Sequence, residues 1–214
     1  MNIQIIKQIF KPALLLATFA FLGVLLLDLI NQQTQQRITD NEREALMQQL
    51  MQVVDKGSHD NELLTDSIVL PGKLFHSSQP VTVYRARKNG NPSAAIFVTT
   101  TDKGYQGSIR IVVGIRMNKT VSGVRIVQHN ETPGLGDKIE LQKSPWILSF
   151  NNTSLQHPDL SHWRVKKDAG YFDQFTGATI TPRAVVGAVR DVLVWCSQGD
   201  NLTSIFNQPA GKPL

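Results

Sequence analysis

A single cysteine, Cys196, stands among 214 residues, so no internal disulfide can staple this chain. Set in an apolar helical pattern, such a residue reads as a packed small hydrophobe. Aromatic residues make up only 7%, and they do not interleave with basic ones, which argues against a nucleic-acid partner. There is no Cys-x-x-Cys, no His-x-x-x-His and no carboxylate cluster, so a metal site is not expected. A Gly-x-Ser-x-Gly elbow is missing. So is a Gly-x-Gly-x-x-Gly fingerprint, which disfavours direct use of NAD(P)H. The net charge of +5 is modest. Its densest spots, Arg85-Ala-Arg-Lys88 and Arg164-Val-Lys-Lys167, read as solvated faces.

Charge is also missing from Pro12 to Leu27, and Asp28 is the sole charge in the block 12–30, PALLLATFAFLGVLLLDLI. At 1.5 Å per residue that block reaches about 28 Å, close to the hydrocarbon thickness of a bilayer. It is longer than a signal-peptide core, and Asp28-Leu-Ile-Asn31 offers no small-residue cleavage site. Lys7 and Lys11 precede it, whereas the next basic residue is Arg37. The expectation is a single transmembrane helix over 12–30. A cytoplasmic N-terminus over 1–11 and an outward-facing remainder follow from the positive-inside bias.

Beyond the block, helical spacing from Thr34 to Val54 predicts a helix ended by Lys56-Gly57. Residues 58–80 read as a connecting region, so 31–80 is expected as connecting helix and linker. Period-two runs predict one strand pair at 81–87 and 94–100 and another at 107–114 and 123–129. A glycine-rich loop, a short helix near 143–150 and a strand at 163–166 should follow. The closing helix is expected over 182–196, with Gly199 as its stop. The tail 201–214 should be flexible. The pattern is α+β: clustered strands with helices at the edges.

The densest chemistry lies in Asp173-Gln-Phe-Thr-Gly-Ala-Thr-Ile-Thr-Pro182, which runs straight into the closing helix. Small and hydroxylated residues there meet unsatisfied amides and the positive end of a helix dipole, a setting that favours phosphate. Thr181 occupies an N-cap position in sequence and Pro182 a first helical position. Local physics leaves two options, a reversibly held phosphate or a hydroxyl esterified to one.

The motif Asp173-x-x-Thr176-Gly177-Ala178-Thr179 resembles the flavinylation signature of bacterial FMN-binding domains. His129-Asn-Glu131-Thr-Pro133-Gly-Leu135-Gly-Asp-Lys138 matches their second hallmark. With Gly104-Tyr105-x-Gly107 and the N-terminal apolar block, the chain is similar to the G subunits of Rnf/Rsx electron-transport complexes. More distantly it resembles the C subunits of sodium-pumping NADH:quinone reductases.

That resemblance implies FMN joined by a phosphoester to Thr179, with Asp173, Thr176, Gly177 and Ala178 forming the turn around it. It implies a domain over 81–200 with a twisted, mostly antiparallel sheet flanked by helices. Leu135 would touch the flavin ring, while Gly134 and Gly136 would allow close approach. Glu131, Thr132 and Lys138 would hydrogen-bond ring or ribityl groups, and Lys166 would lie near the ring or phosphate. Because no base stands beside Thr179, a separate flavin transferase would make the ester. Other subunits of an ion-translocating complex and the lipid of the inner membrane are the implied partners, with the FMN domain in the periplasm. The competing reading is a membrane-tethered phosphate-binding or assembly module without a redox role.

Overall fold

The computed structural model describes the backbone of residues 3–211; within the first helix the side chains of 3–11, 13, 30 and 32–42 lie outside the described set. The chain divides into two compact units, residues 1–46 and 47–214.

The first unit is the greater part of α1 (Ile3–Val53). The expected helices at 12–30 and 34–54 are therefore one continuous element. From Leu14 to Leu29 its described side chains are exposed, among them Leu16, Phe19 and Leu27. Apolar residues thus appear around the whole circumference rather than along one stripe, a surface that water does not favour. Thr18 satisfies its hydroxyl internally, donating to the Leu15 carbonyl at 2.8 Å. Among the described residues no helix is long and apolar enough to cross a membrane. The expected span 12–30 includes positions 13 and 30, outside the described side chains, and the expected N-terminal segment 1–11 lies outside them entirely.

The second unit is built on five antiparallel strands in chain order: β1 (Ser67–Leu70), β2 (Val81–Lys88), β3 (Asn91–Gly104), β4 (Gly107–Arg116) and β5 (Val121–Gln128). Their Val, Ile and Thr content suits a pleated, buried surface. Inward residues Ala95 and Phe97 of β3 join Ile109, Ile111, Val113 and Ile115 of β4 in the main core. Helix α2 (Ile180–Ser197) lies on that face, with Val185, Val189, Val192 and Cys196 fully buried at helical spacing. The alternate residues Ala94, Ile96 and Val98 are buried too, which places a second layer on the other face. The end of α1 takes part in that layer, because Cβ atoms at Gly114 and Gly123 would run into Val53.

Three expectations are corrected. Residues 163–166 do not form a strand; Val165 makes one isolated bridge to Phe172, and a 3-10 turn follows at Lys166–Asp168. Residues 201–207 are not a frayed tail, for α3 (Asn201–Ser204) and a 3-10 turn bury Leu202, Ile205 and Phe206. Arg85 is not solvated. It is 2% exposed, its Nε donates to Asp66 at 2.6 Å, and its Nη1 donates to the carbonyls of Ile205 (2.7 Å) and Gln208 (2.6 Å). A buried guanidinium must find acceptors, and the C-terminal segment supplies them. The four-residue β1, inside the expected linker, is too short to show a period of its own.

Candidate functional site

Three segments far apart in sequence meet beside the start of α2, and Glu131 is their common partner. The β3–β4 turn arrives first, with the Gln106 backbone N–H donating to Glu131 Oε1 at 3.2 Å and the Gln106 side chain donating to the Thr132 hydroxyl at 2.8 Å. The first turn of α2 arrives second, through the Thr181 hydroxyl donating to Glu131 Oε2 at 2.5 Å. The third is Glu131's own loop. Glu131 and Thr181 are 4% and 1% exposed, so this contact is sealed from water.

The loop is wound tightly around its own start. Backbone N–H groups of Leu135, Gly136 and Asp137 all point at the Thr132 carbonyl. A Cβ at Gly136 would stand 2.9 Å from both the Glu131 carboxylate and the Thr181 hydroxyl, so only glycine fits there. His129 closes the loop from behind. Its Nδ1 accepts from the Glu131 N–H at 3.0 Å, which leaves Nε2 to donate to Glu140 at 2.6 Å.

The turn before α2 is fixed by aromatic packing. Trp146 Nε1 donates to the Asp173 carbonyl at 2.8 Å, and its ring meets Phe175 edge-on at 5.2 Å. Ala178 N–H donates to the Phe175 carbonyl at 3.1 Å, closing a turn in which Gly177 has φ +81°. That conformation suits glycine at the third position of a β-turn. Leu135 Cδ2 lies 3.6 Å from where a Gly177 Cβ would be, so the two sequence motifs touch.

Thr179, not Thr181, holds the N-cap position of α2, and the helix begins at Ile180. Thr181 cannot cap because its hydroxyl is committed to Glu131. Thr179 itself sits at φ −81°, ψ −29°, in helical rather than extended geometry, and makes no capping hydrogen bond. Its half-buried hydroxyl is thus left beside the first-turn amides, which have no partner within the helix.

Comparison with known sequences agrees with this geometry. The FMN-binding domain family matches residues 104–194, spanning all three converging segments, and the RnfG N-terminal region family matches residues 1–53. The G subunit of the ion-translocating oxidoreductase complex of Pseudoalteromonas atlantica is 45% identical over 191 residues, covering 88% of this chain and 89% of that protein. The chain belongs to this G-subunit family. The member from Shewanella loihica is 43% identical over 205 residues, 95% of this chain and 96% of its own length. That of Pseudomonas aeruginosa is 45% identical over 188 residues, 87% and 88% of the two chains.

Within the G-subunit fold the expected site residues fall into two sets. Thr176, Gly177, Ala178 and Thr179 stand together with Leu135 at an accessible rim. Gly134, at φ +78°, has open space where a side chain would project, and Leu135 and Ile180 leave 42% and 44% of their surface exposed. Glu131, Thr132 and Gly136 belong to the frame instead, since Glu131 and Thr132 already serve protein partners and Gly136 is buried. Lys138 is half-buried on the 3-10 turn Gly136–Ile139. Lys166 pairs with Asp173 at 2.6 Å, both side chains being more than half exposed, so its ammonium is held at the edge of the turn.

Sequence reasoning passed over Gln106 and Asp137 and gave Thr181 a capping role instead. Gln106 carries no local signal, because it acts through Glu131. Asp137 is 7% exposed, and its Oδ1 has no hydrogen-bond partner among the described residues. An orphaned buried acceptor, two glycines opening toward the rim and an uncommitted threonine hydroxyl at a helix start are features that a flavin mononucleotide would satisfy.

Proposed function

We propose that this chain is the membrane-anchored flavoprotein subunit of an ion-translocating electron-transport complex, carrying FMN through a phosphoester to Thr179. The observation that carries the proposal is Thr179 itself: an N-cap threonine whose hydroxyl does not cap, one residue after Gly177-Ala178, inside the FMN-binding domain match. When bound, FMN supplies a carrier able to take one or two electrons.

The residues around Thr179 have separable duties in this reading. The amides at the start of α2 and its dipole receive the negative charge that a phosphodiester retains. Gly177 keeps the backbone low so that the phosphate can reach the hydroxyl. Leu135 and Ile180 give the ring an apolar rest and exclude water from one side. Asp137 offers an acceptor, and Lys138 and Lys166 offer donors, from the loop and the turn. Glu131 touches none of these groups and holds the three segments in register. A threonine hydroxyl without an adjacent base is a weak nucleophile, so the ester is made by a separate flavin transferase.

The apolar circumference of α1 from Leu14 to Leu29 supports burial in the lipid of the inner membrane. The lysines before it support a cytoplasmic N-terminus over 1–11, a span over 12–30, a linker over 31–80 and a periplasmic FMN domain. The names of the relatives support the other subunits of such a complex as partners.

The test is Thr179→Ala in chain produced together with a flavin transferase. Wild type should give an ultraviolet-fluorescent band after denaturing electrophoresis and an intact mass raised by one FMN residue. The variant should give neither, yet keep its fold and membrane location. A colourless wild type of unmodified mass overturns the proposal and favours reversible phosphate binding.

A further inference from the structure

A concavity of about 290 Å³ opens on the flank of α2, away from the Glu131 frame and built from different residues. Arg183, Val186, Gly187 and Arg190 line it at the i, i+3, i+4, i+7 spacing of one helix face, and Trp163, Arg164 and Asp168 complete it. Three guanidinium groups therefore share one small space.

Their internal compensation is incomplete. Arg183 holds Asp168 through two bonds of 2.6 and 2.8 Å. Arg190 reaches Asp191 Oδ1 at 3.0 Å, but the other oxygen of that carboxylate already lies 3.0 Å from His76 Nδ1. The Arg164 guanidinium has no hydrogen-bond acceptor among the described residues. The Arg183 guanidinium beside Asp168 holds its carboxyl below the usual range, with Arg164 and Lys167 acting in the same sense. The field in the pocket is therefore positive. Trp163 and Val186, at 0% and 1% exposure, are sealed beneath the guanidinium groups, and nothing stands within 4 Å of a Cβ added at Gly187.

We propose that this pocket takes a carboxylate side chain from an acidic segment of a partner protein, docking that partner beside the FMN-bearing turn. The identity of the partner as an electron-transfer subunit rests on the function proposed above. Guanidinium forks match carboxylates in pairs, and Asp168 on Arg183 already shows that geometry in place. The open space over Gly187 accommodates the methylene groups that accompany such a carboxylate, which a bare inorganic anion lacks. Arg183 lies one helical turn after Thr179, about 6 Å along the axis. A partner seated here therefore stands close to the flavin, and its encounter is steered by charge.

The test uses the flavinylated full chain in its membrane complex, with Gly187→Glu and Arg164→Glu as separate variants. Glutamate is a better helix former than glycine, so Gly187→Glu fills the pocket with an internal carboxylate without weakening α2. Both variants should carry FMN as wild type does. Both should leave the detergent-solubilised complex at several-fold lower salt. Electron entry into the flavin should slow roughly tenfold and lose its dependence on ionic strength. Unchanged retention and an unchanged salt profile overturn the proposal. A loss of binding to phosphatidylglycerol vesicles, with retention in the complex intact, also overturns it and assigns the pocket to lipid. A wild type without FMN would defeat the flavin reading, while the salt-resolved retention would still decide the docking site.

Discussion

The Thr181 hydroxyl donates to Glu131 Oε2 at 2.5 Å across 50 residues of chain, tying the first turn of α2 to the loop after β5. Both groups are nearly inaccessible to water, and the same carboxylate also accepts from the β3–β4 turn. The segments bearing Thr179 and Leu135 are thus located by one side chain.

Removing that carboxylate should loosen all three segments. Glu131→Ala leaves a buried hydroxyl and a backbone N–H unpaired, at about 1–3 kcal/mol for each stranded group. The melting temperature should fall by about 2–4 °C per kcal/mol. Flavin attachment should fall alongside, whereas Glu131→Gln, which keeps an acceptor oxygen, should retain part of both. Thermal melting and the fluorescence of the denatured band check the pair. Equal loss in the two variants would mean that charge, not hydrogen bonding, holds the site.

The glycine of the turn before α2 should resist replacement for a different reason. Gly177 has φ +81°, and an added Cβ would sit in van der Waals contact with Leu135, 3.6 Å away. Gly177→Ala should cost about 1–2 kcal/mol from backbone strain and lower the rate of flavin attachment. Gly134→Ala, at φ +78° with open space around it, should show the same strain with a smaller loss of attachment. A time course with purified transferase separates the two. Identical time courses would remove the Gly177–Leu135 contact from the account.

Asp66 should be among the most sensitive positions remote from the site. It carries the ion pairs to both Arg85 and Arg87, and Arg85 is 2% exposed. Asp66→Ala strands a buried cation, a change that typically costs about 3–5 kcal/mol. Denaturant unfolding should show a lower midpoint with little change in slope.

Acid should weaken the link between Asp55 and Arg116. Two hydrogen bonds, of 2.6 and 2.8 Å, from the guanidinium hold the Asp55 carboxyl below its ordinary range. A depressed carboxylate contributes stability that is complete above its unfolded pKa and is lost as pH falls through the folded one. The advantage of wild type over Asp55→Asn should therefore stay constant from neutral pH down to about 4 and disappear below it. Being a surface pair, it should amount to no more than about 1 kcal/mol. Melting curves across that range provide the measurement. An advantage that survives strong acid would assign the effect to packing.

The parts legible in the sequence are those whose cause is local. Alternation in 81–87 and 107–114 sufficed to locate β2 and β4, and the apolar spacing of 184–194 sufficed to locate α2. The motif residues 176–179 were legible as a unit because the turn is made by its own glycine. What escaped depends on distant partners. Thr181 followed by Pro182 looks like a capping pair, and only Glu131, far upstream, diverts its hydroxyl. Arg85 looks like a surface charge until Ile205 and Gln208 present their carbonyls to it. Asp137 is set by the winding of its loop, which no periodicity encodes.

The bonds from Arg85 to the carbonyls of Ile205 and Gln208 bear on where this protein can be cut. The segment matched by the FMN-binding domain family, 104–194, omits β1, β2 and all of β3 but its last residue at one end and the buried Leu202, Ile205 and Phe206 at the other. A fragment trimmed to those limits would lack three of the five strands of the sheet and the C-terminal residues packed on its core. The domain match is thus narrower than what must be synthesised together. A soluble version for biophysical work should run from about Met47 through Gly211, the compact unit rather than the shared motif block.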